Sequence, residues 1–307
     1  MNPDATTTHR YGAERARERA QYRRGALLVA GAAVAWSSAG LLVRTTASDN
    51  WTTLFWRSVF AALFLALSLA IRDGRSAIRG FSRLGLPGLG IALAFATSMT
   101  CFIVGLRETS VANVLIFQAA APFVAAILGW FWLGERISWR AGAAILASMA
   151  GILVMVSDSL AKGRVLGDLV SALMGISFAV VIVESRRHRE VAMTPAMCLG
   201  LVLTGLAALP FAEFAPTLRD LGLLALFGVG QMGLALMLFT TGVRLLPAAD
   251  AGLVTLLEVI LAPLWVWLAF GEDPGPRALL GGVIVLVAVI GHTFLEKRYI
   301  GSDRPVG

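Results

Sequence analysis

The chain has 307 residues, of which 57% are hydrophobic and only 15% are charged, and its mean hydropathy is +0.77. Soluble domains carry roughly 25% charged residues, and a water-soluble globule of this length has too little interior to hide so much apolar surface. The composition therefore excludes a soluble protein and predicts an integral membrane protein. The two cysteines, Cys101 and Cys198, lie inside apolar stretches, which excludes a disulfide framework and a structural zinc site.

The formal net charge is +7, but the basic residues stand in short gaps between apolar runs. Clusters of this kind set the orientation of membrane helices, so no nucleic-acid partner is expected. Residues 1–25 are polar and rich in arginine. The apolar run that follows is long enough to span a bilayer, so the segment is interpreted as a cytoplasmic tail and not as a cleavable signal peptide.

Ten apolar runs follow this tail, each of about the 20 residues that cross a bilayer as a helix. A transmembrane strand needs only about ten residues. The sequence therefore predicts an all-α polytopic membrane protein with ten transmembrane helices. The runs cover residues 26–43, 54–71, 84–104, 110–132, 139–156, 166–183, 194–212, 221–242, 248–270 and 277–295.

Basic residues are distributed unequally between the two sides of these runs. Of the 26 lysines and arginines, 19 lie in the terminal segments and the even-numbered loops, six lie in the odd-numbered loops, and Arg57 lies within a run. Cytoplasmic segments of membrane proteins are enriched in lysine and arginine. Both termini are therefore predicted to be cytoplasmic.

The chain repeats part of itself at an offset of 137 residues. Nine identities fall within about 37 aligned positions on the same loop-helix-loop unit, which is hard to obtain by composition alone. The alternative is a chance match, which low-complexity apolar helices do produce. The identities pair Gly105, Arg107, Ala112, Ala125, Trp130, Gly134, Glu135, Arg140 and Ala141 with Gly242, Arg244, Ala249, Ala262, Trp267, Gly271, Glu272, Arg277 and Ala278.

This repeat predicts a first five-helix half over residues 26–156, a linker over 157–165 and a second five-helix half over 166–295, followed by a cytoplasmic tail over 296–307. A unit with an odd number of crossings enters the membrane from opposite sides in its two copies. The halves are therefore expected to be inverted repeats. Inverted repeats permit alternating access to a site between them, which indicates a transporter.

Short motifs mark the ends and centres of the runs. They are Trp36-Ser37-Ser38 with Arg44, Phe55-Trp56-Arg57, Gly105-Leu106-Arg107, Ala121-Pro122, Leu133-Gly134-Glu135-Arg136 and Gly271-Glu272. In these motifs the chain resembles the drug/metabolite transporter superfamily, and within it the ten-helix EamA-type exporters. It departs from them at Glu258-Val259, where an acid-proline pair is usual and the proline follows only at Pro263. The resemblance implies a bacterial inner-membrane exporter of amino acids and related metabolites, including aromatic ones.

Candidates for contact with the cargo are polar and aromatic residues near the middle of the runs, because polar groups in hydrocarbon usually face a cavity or a partner helix. Aromatic and thioether side chains suit a large apolar cargo group. The alternative is that the serines bond back to their own helix and the glutamines join neighbouring helices. The candidates are Trp36, Ser37, Ser38, Ser98, Met99, Phe117, Gln118, Ser177, Phe178, Gln231 and Glu258.

Glu258 is the one acidic residue near the predicted midplane, where ionisation without a partner is costly. Three roles are open to it: binding a substrate ammonium group, exchanging a proton, or remaining protonated and hydrogen-bonded. Arg57 is expected near the outer boundary, where it can reach the headgroups. A direct pair between these two residues is therefore not expected, and Asp168 is an alternative partner of Arg57 at an outer gate.

Pro122 and Pro263 are predicted to be hinges. A proline inside a helix removes a hydrogen bond and frees the carbonyl four residues earlier, here that of Gln118 or Val259. Bent helices beside mid-depth polar side chains are typical of transport sites. The alternative is an ordinary kink whose backbone groups are satisfied by neighbouring helices.

The segment 228–233 matches the spacing of a dinucleotide-binding fingerprint, but no strand precedes it. Its glycines are interpreted as positions where helices approach closely. No catalytic constellation or metal-ligand cluster is apparent in the sequence, so neither enzyme activity nor a cofactor is expected.

We expect a secondary transporter that exports small metabolites, above all amino acids, by alternating access. Its partners are a small-molecule substrate and the lipid bilayer, and ten helices suffice to enclose a site within one chain, which favours a functional monomer. The alternative is a proton-coupled multidrug or cation exporter that uses Glu258 as a shared proton and cation site.

Overall fold

The computed structural model describes residues 3–134, 139–161, 163–246 and 248–302, and every regular element in these ranges is helical. The predicted all-α class is confirmed for the described part of the chain. The α-helices there are α1 (Pro3–Ser37), α2 (Ala39–Thr45), α3 (Asn50–Asp73), α4 (Arg75–Ser82), α5 (Gly85–Glu108), α6 (Val111–Leu133), α7 (Trp139–Ala161), α8 (Val165–Arg187), α9 (Met193–Ala208), α10 (Leu218–Ala225), α11 (Ala235–Gly242), α12 (Ala248–Thr255), α13 (Leu257–Phe270) and α14 (Pro276–Ser302).

Seven helical segments of the described chain are long and apolar enough to cross a membrane. The protein is therefore a multi-pass membrane protein. The seven are Arg19–Thr45, Asn50–Asp73, Gly85–Glu108, Val111–Leu133, Val165–Arg187, Met193–Phe211 and Leu218–Leu245. Shorter apolar helices, Gly142–Val154, Leu257–Phe270 and Pro276–Gly291, fall on the fifth, ninth and tenth predicted runs.

The first, eighth and ninth runs are not uniform α-helices. Helices α1 and α2 meet at Ser38, whose hydroxyl donates to the Ala35 carbonyl at 2.6 Å. Such bonding back to the preceding turn bends helices. Residues Leu226–Leu234 between α10 and α11 are π-helical, and α12 and α13 meet at Leu256.

Two helices in different halves end on glycines with nearly the same backbone conformation. Gly134 ends α6 at φ 67° and ψ 18°, and Gly271 ends α13 at φ 66° and ψ 18°. Glycine adopts this left-handed conformation without the steric cost that a Cβ brings. The two glycines are also partners in the 137-residue sequence repeat.

The π-helical segment packs directly against α3. A Cβ on Gly228 would lie 2.5 Å from the carbonyl oxygen of Arg57, and a Cβ on Gly233 would lie 2.4 Å from Cδ1 of Phe64. Both contacts are too short for any side chain larger than hydrogen. The interpretation of this glycine-rich stretch as a helix-packing surface is therefore confirmed.

Hydrogen bonds join several loops at one end of the helical bundle. The Ala47 amide donates to Asp220 at 3.2 Å, and the Glu213 amide donates to the Thr52 hydroxyl at 2.8 Å. We call this end the polar end. It comprises residues 44–53, 105–113, 164–168, 211–220 and 270–276.

Candidate functional site

Arg57 is buried inside the bundle, with only 1% of its surface exposed. Its Nη2 donates to Gln231 Oε1 at 3.3 Å and lies 3.7 Å from Met232 Sδ. The guanidinium carbon is 4.6 Å from the ring centroid of Phe227, a cation-π arrangement. The expectation that Arg57 reaches the headgroups is wrong, because the π-helical segment covers its side chain.

The guanidinium of Arg57 is only partly satisfied. Within the described part of the chain, Nε and Nη1 have no hydrogen-bond partner. Asp168, its expected alternative partner, instead accepts from the Thr109 hydroxyl at 2.8 Å and from the Asn113 amide at 3.0 Å. Arg57 therefore has two buried donor nitrogens, Nε and Nη1, that donate to no described residue.

Gln231 connects this arginine to the first helix. It is 4% exposed, and its Nε2 donates to the backbone carbonyl of Trp36 at 3.2 Å. The Trp36 ring lies 5.1 Å from that of Phe239, centroid to centroid, and packs with Met99 against one apolar cluster. Four elements, α1, α3, α11 and the π-helical segment, therefore meet around these side chains.

A second polar pair joins α6 to α13. The side-chain amide of Gln118 lies near the carboxyl of Glu258. Glu258 is 6% exposed and lies in the first turn of α13, directly after the junction at Leu256. The structure thus brings together two residues that sequence reasoning selected separately.

Ser37 lies at the end of α1 and is fully buried. Its hydroxyl donates to the Val34 carbonyl at 2.7 Å and accepts from Trp265 Nε1 at 2.9 Å. Trp265 belongs to the same helix as Glu258, two turns further along. Tryptophans near the end of an apolar run ordinarily anchor at the membrane interface, so this contact was not predicted.

The remaining candidates lie where α5, α6 and α8 pack together. The Ser98 hydroxyl donates to the Met174 carbonyl at 3.2 Å, which joins α5 to α8. A Cβ on Gly175 would lie 2.9 Å from the Phe117 carbonyl oxygen, so α6 and α8 are in close contact. Ser177 is buried and Phe178 is half-buried on the same helix.

The two predicted hinges lie in helices of different shape. Helix α6 continues through Pro122, whose ring is exposed. Pro263 lies inside α13, and the junction in this segment is at Leu256, seven residues earlier. Ser38, predicted as a cargo contact and not as a hinge, is itself the junction between α1 and α2.

At the polar end, Arg44 and Glu272 form a two-point ion pair. Arg44 Nε donates to Glu272 Oε2 at 2.5 Å, and Nη2 donates to Oε1 at 3.0 Å. Arg44 Nη1 also donates to the Leu106 carbonyl at 2.7 Å. Bidentate pairs of this type are among the stronger charged contacts. Glu135, the repeat partner of Glu272, lies outside the described residues.

Several of these polar contacts join a residue before position 157 to a residue after position 165. The same division holds at the polar end and deep in the bundle. Polar side chains therefore join the two parts of the chain at both depths, beside the apolar packing between them. The pairs are Ser37 with Trp265, Arg44 with Glu272, Arg57 with Gln231, Ser98 with Met174, Thr109 with Asp168 and Gln118 with Glu258.

Curated relatives match most of the chain at low identity. An S-adenosylmethionine uptake transporter of Rickettsia bellii is 23% identical over 82% of this chain and 87% of its own length. The pseudopaline exporter of Pseudomonas aeruginosa is 26% identical over 80% and 86%. A probable terminal-alkyne amino-acid exporter of Streptantibioticus cattleyicolor is 27% identical over 82% and 93%.

A solved crystal structure aligns with a TM-score of 0.60 over 89% of this chain and 98% of its own, at 19% identity, which shows a shared fold. The family model described as the EamA-like transporter family matches twice, over residues 23–157 and 165–294. These two matches confirm the resemblance seen in the sequence motifs. The chain belongs to the EamA-like transporter family and is a membrane transporter.

Proposed function

We propose that this transporter exports amino acids and related small metabolites across a bacterial inner membrane. Support comes from relatives that are named as exporters, one of them as an amino-acid exporter. Aromatic and thioether side chains at Trp36, Met99 and Phe117 suit cargo with an apolar side chain.

The mechanism we propose is alternating access between two inverted five-helix halves, residues 26–156 and 166–295. The double family match and the paired glycines that end α6 and α13 support the repeat. In the proposed arrangement of ten crossings, both termini lie in the cytoplasm and the polar end lies at the outer surface. One chain supplies both halves, which supports a functional monomer.

The observation that carries this proposal is the pair of Gln118 and Glu258, one residue from each half. A buried carboxyl beside an amide is suited to receive a substrate ammonium group, because the charged donor gains a charge-assisted hydrogen bond away from water. Binding there links substrate to both halves at once. A substrate held in this way can be handed from one side to the other when the halves rearrange.

The Arg44 and Glu272 ion pair closes the outer side in this arrangement. Export requires the pair to separate so that the substrate can leave toward the polar end. The cost of separation is moderate, since both side chains remain about one-fifth exposed and water can solvate the released charges.

Transport into proteoliposomes tests the proposal. Purified protein is reconstituted, and uptake of radiolabelled L-phenylalanine, L-leucine and L-lysine is measured with and without unlabelled amino acid inside the vesicles. We expect counterflow that raises the uptake of at least one amino acid above that of protein-free vesicles. The assay is then extended to all twenty standard amino acids, and absence of counterflow for every one would remove the substrate assignment.

The alternative, a proton-coupled cation exporter, rests on the same carboxyl of Glu258. It is distinguished by Glu258→Gln in vesicles that carry a pH gradient and ethidium as cargo. Ethidium transport that the gradient drives in the wild type and that the variant loses would favour this alternative over amino-acid export.

A further inference from the structure

Arg57 is a buried cation without a protein counter-charge among the described residues. It is 1% exposed, and its three polar or aromatic neighbours, Gln231, Met232 and Phe227, are all neutral. Burying a charge is expensive unless a partner compensates it. A membrane protein that keeps an arginine in such a place usually keeps it for a pathway or a ligand.

The free atoms of Arg57 define what that ligand must offer. Nε and Nη1 lack partners in the described part of the chain, while Nη2 is engaged by Gln231. A guanidinium binds the two oxygens of a carboxylate along either of two edges, Nε with Nη2 or Nη1 with Nη2. Nη2 carries two hydrogens and Gln231 accepts one of them, so one edge keeps both of its donors free. The missing partner is therefore a carboxylate or a similar planar oxyanion.

The backbone around Arg57 supplies a second and independent sign of a functional position. Gln231 and Met232 belong to the π-helical segment Leu226–Leu234. Single π-helical turns within α-helices occur frequently at functional sites, because the extra residue redirects side chains that a regular helix would align elsewhere. Here the wide turn places an amide, a thioether and an aromatic ring around one guanidinium.

We propose that Arg57 binds the carboxylate of the transported substrate, which restricts the cargo to small molecules that carry a carboxylate. This rests on the proposed function and sharpens it. The apolar side chains near Trp36 and Met99 then receive the rest of the molecule. Gln231, which contacts both Arg57 and the Trp36 carbonyl, positions the guanidinium.

Ligand chemistry tests this assignment without changing the protein. Binding to the purified wild type in detergent is measured for L-phenylalanine, for L-phenylalaninamide, which lacks the carboxylate, and for 3-phenylpropionate, which lacks the ammonium group. We expect the amide to bind on the order of thirtyfold more weakly than the amino acid, as expected when one partner of a buried charged pair is removed. Equal affinities for L-phenylalanine and L-phenylalaninamide would overturn the assignment.

The variant Arg57→Gln provides the matching change in the protein, and Arg72→Gln is the control, because Arg72 lies on the same helix with an exposed side chain. The Arg57→Gln variant should bind L-phenylalanine about as weakly as it binds L-phenylalaninamide. Its affinity for L-phenylalaninamide should equal that of the wild type. Equal losses for both ligands would assign Arg57 a purely structural role and overturn the proposal.

Thermal unfolding without ligand separates a binding role from a structural one. We expect Arg57→Gln to unfold at the same temperature as the wild type or higher, since removing an unpaired buried charge relieves a desolvation cost. A clear fall in unfolding temperature would contradict the proposal.

The test also separates this inference from the function on which it rests. If no amino acid binds but 3-phenylpropionate or succinate stabilises the wild type and not Arg57→Gln, the amino-acid assignment fails and the carboxylate site stands. If amino acids and their amides bind equally well, the function stands and the carboxylate site fails. If no carboxylate stabilises the wild type, both are overturned.

Discussion

Arg44 and Glu272 are joined by two hydrogen bonds, at 2.5 and 3.0 Å, although 228 residues separate them in the chain. They lie at the polar end, where α2 and α13 terminate. Arg44 also binds the Leu106 carbonyl, so one guanidinium holds three elements together. This contact joins the two predicted halves at one end of the bundle.

Glu272→Gln should weaken this closure. The variant retains one acceptor but loses the charge, so we expect the free energy of unfolding to fall by about 1 kcal/mol. The measurement is thermal unfolding in detergent at low salt, repeated at high salt, where the difference from wild type should shrink.

Glu213→Gln is the matched control, since Glu213 also lies at the polar end but has an exposed side chain. Its unfolding temperature should stay at the wild-type value. A loss in the control equal to that of Glu272→Gln would show that general charge at this end, and not the ion pair, determines stability.

Gly228→Ala should destabilise the bundle. The new Cβ would lie 2.5 Å from the Arg57 carbonyl oxygen and 2.6 Å from Phe60 Cβ, and a backbone atom cannot rotate away. Overpacking of this kind costs about 1–3 kcal/mol. Thermal unfolding measures it.

Gly222→Ala is the control for this change. Gly222 lies in α10, directly before the π-helical segment, and nothing occupies the space around its missing Cβ within 4 Å. Alanine is the better helix former by roughly 1 kcal/mol, so this variant should be as stable as the wild type or more so. If both variants behave alike, the close approach between α3 and the π-helical segment is not present in solution.

Glu258→Gln should reduce amino-acid binding without unfolding the protein. Glutamine has nearly the same shape and keeps a polar side chain beside Gln118, but it cannot offer a charged acceptor to an ammonium group. A hydrogen bond to a charged group contributes about 1.5–3 kcal/mol, so the affinity for L-phenylalanine should fall on the order of tenfold to a hundredfold.

The measurement for Glu258→Gln is calorimetric titration of the purified protein, with Glu190→Gln as control in the exposed loop after α8. Binding of 3-phenylpropionate, which has no ammonium group, should not change in the variant. Unaltered affinity for L-phenylalanine would assign Glu258 to one of its other two roles, proton exchange or a neutral hydrogen bond.

Trp265→Phe should have a small effect. It removes the indole donor that binds the Ser37 hydroxyl at 2.9 Å, but that hydroxyl keeps its bond to the Val34 carbonyl. No buried group is left unsatisfied, so the loss should be about 1 kcal/mol or less. Trp267→Phe, at a half-exposed ring two residues on, should lose less. Thermal unfolding of both variants checks the order.

Hydropathy predicted the helices well because the bilayer leaves few alternatives. The run 110–132 corresponds to α6, Val111–Leu133, and the run 166–183 falls within α8, Val165–Arg187. A helix must satisfy its own backbone in hydrocarbon, so a long apolar run is nearly sufficient to locate it. The short helix α4 was missed because it lies in a polar loop, where composition carries no such constraint.

The burial of Arg57 could not be predicted in the same way. Arg57 is the eighth residue of α3, a position from which a long basic side chain ordinarily reaches the interface. Its actual environment depends on Gly228 and Gly233, which let a distant part of the chain approach α3 closely. This is a tertiary effect between segments about 170 residues apart in the numbering, and a single sequence does not encode it locally.

The site residues were predicted individually but not as pairs. Mid-depth polarity selected Gln118, Gln231 and Glu258, since such residues are rare in membrane helices. It could not show that Gln118 faces Glu258 or that Gln231 binds Arg57. Pairing depends on the rotation of each helix about its axis, and the weak amphipathicity of interior helices leaves that rotation undetermined.

Locking the polar end tests most directly whether the two halves separate there during transport. Arg44 and Glu272 are replaced by cysteine in a background of Cys101→Ala and Cys198→Ala, and a short bifunctional maleimide joins the new thiols in proteoliposomes. We expect amino-acid counterflow to stop in the linked protein and to persist when a monofunctional maleimide is used. Full transport by the completely cross-linked protein would contradict alternating access through this end.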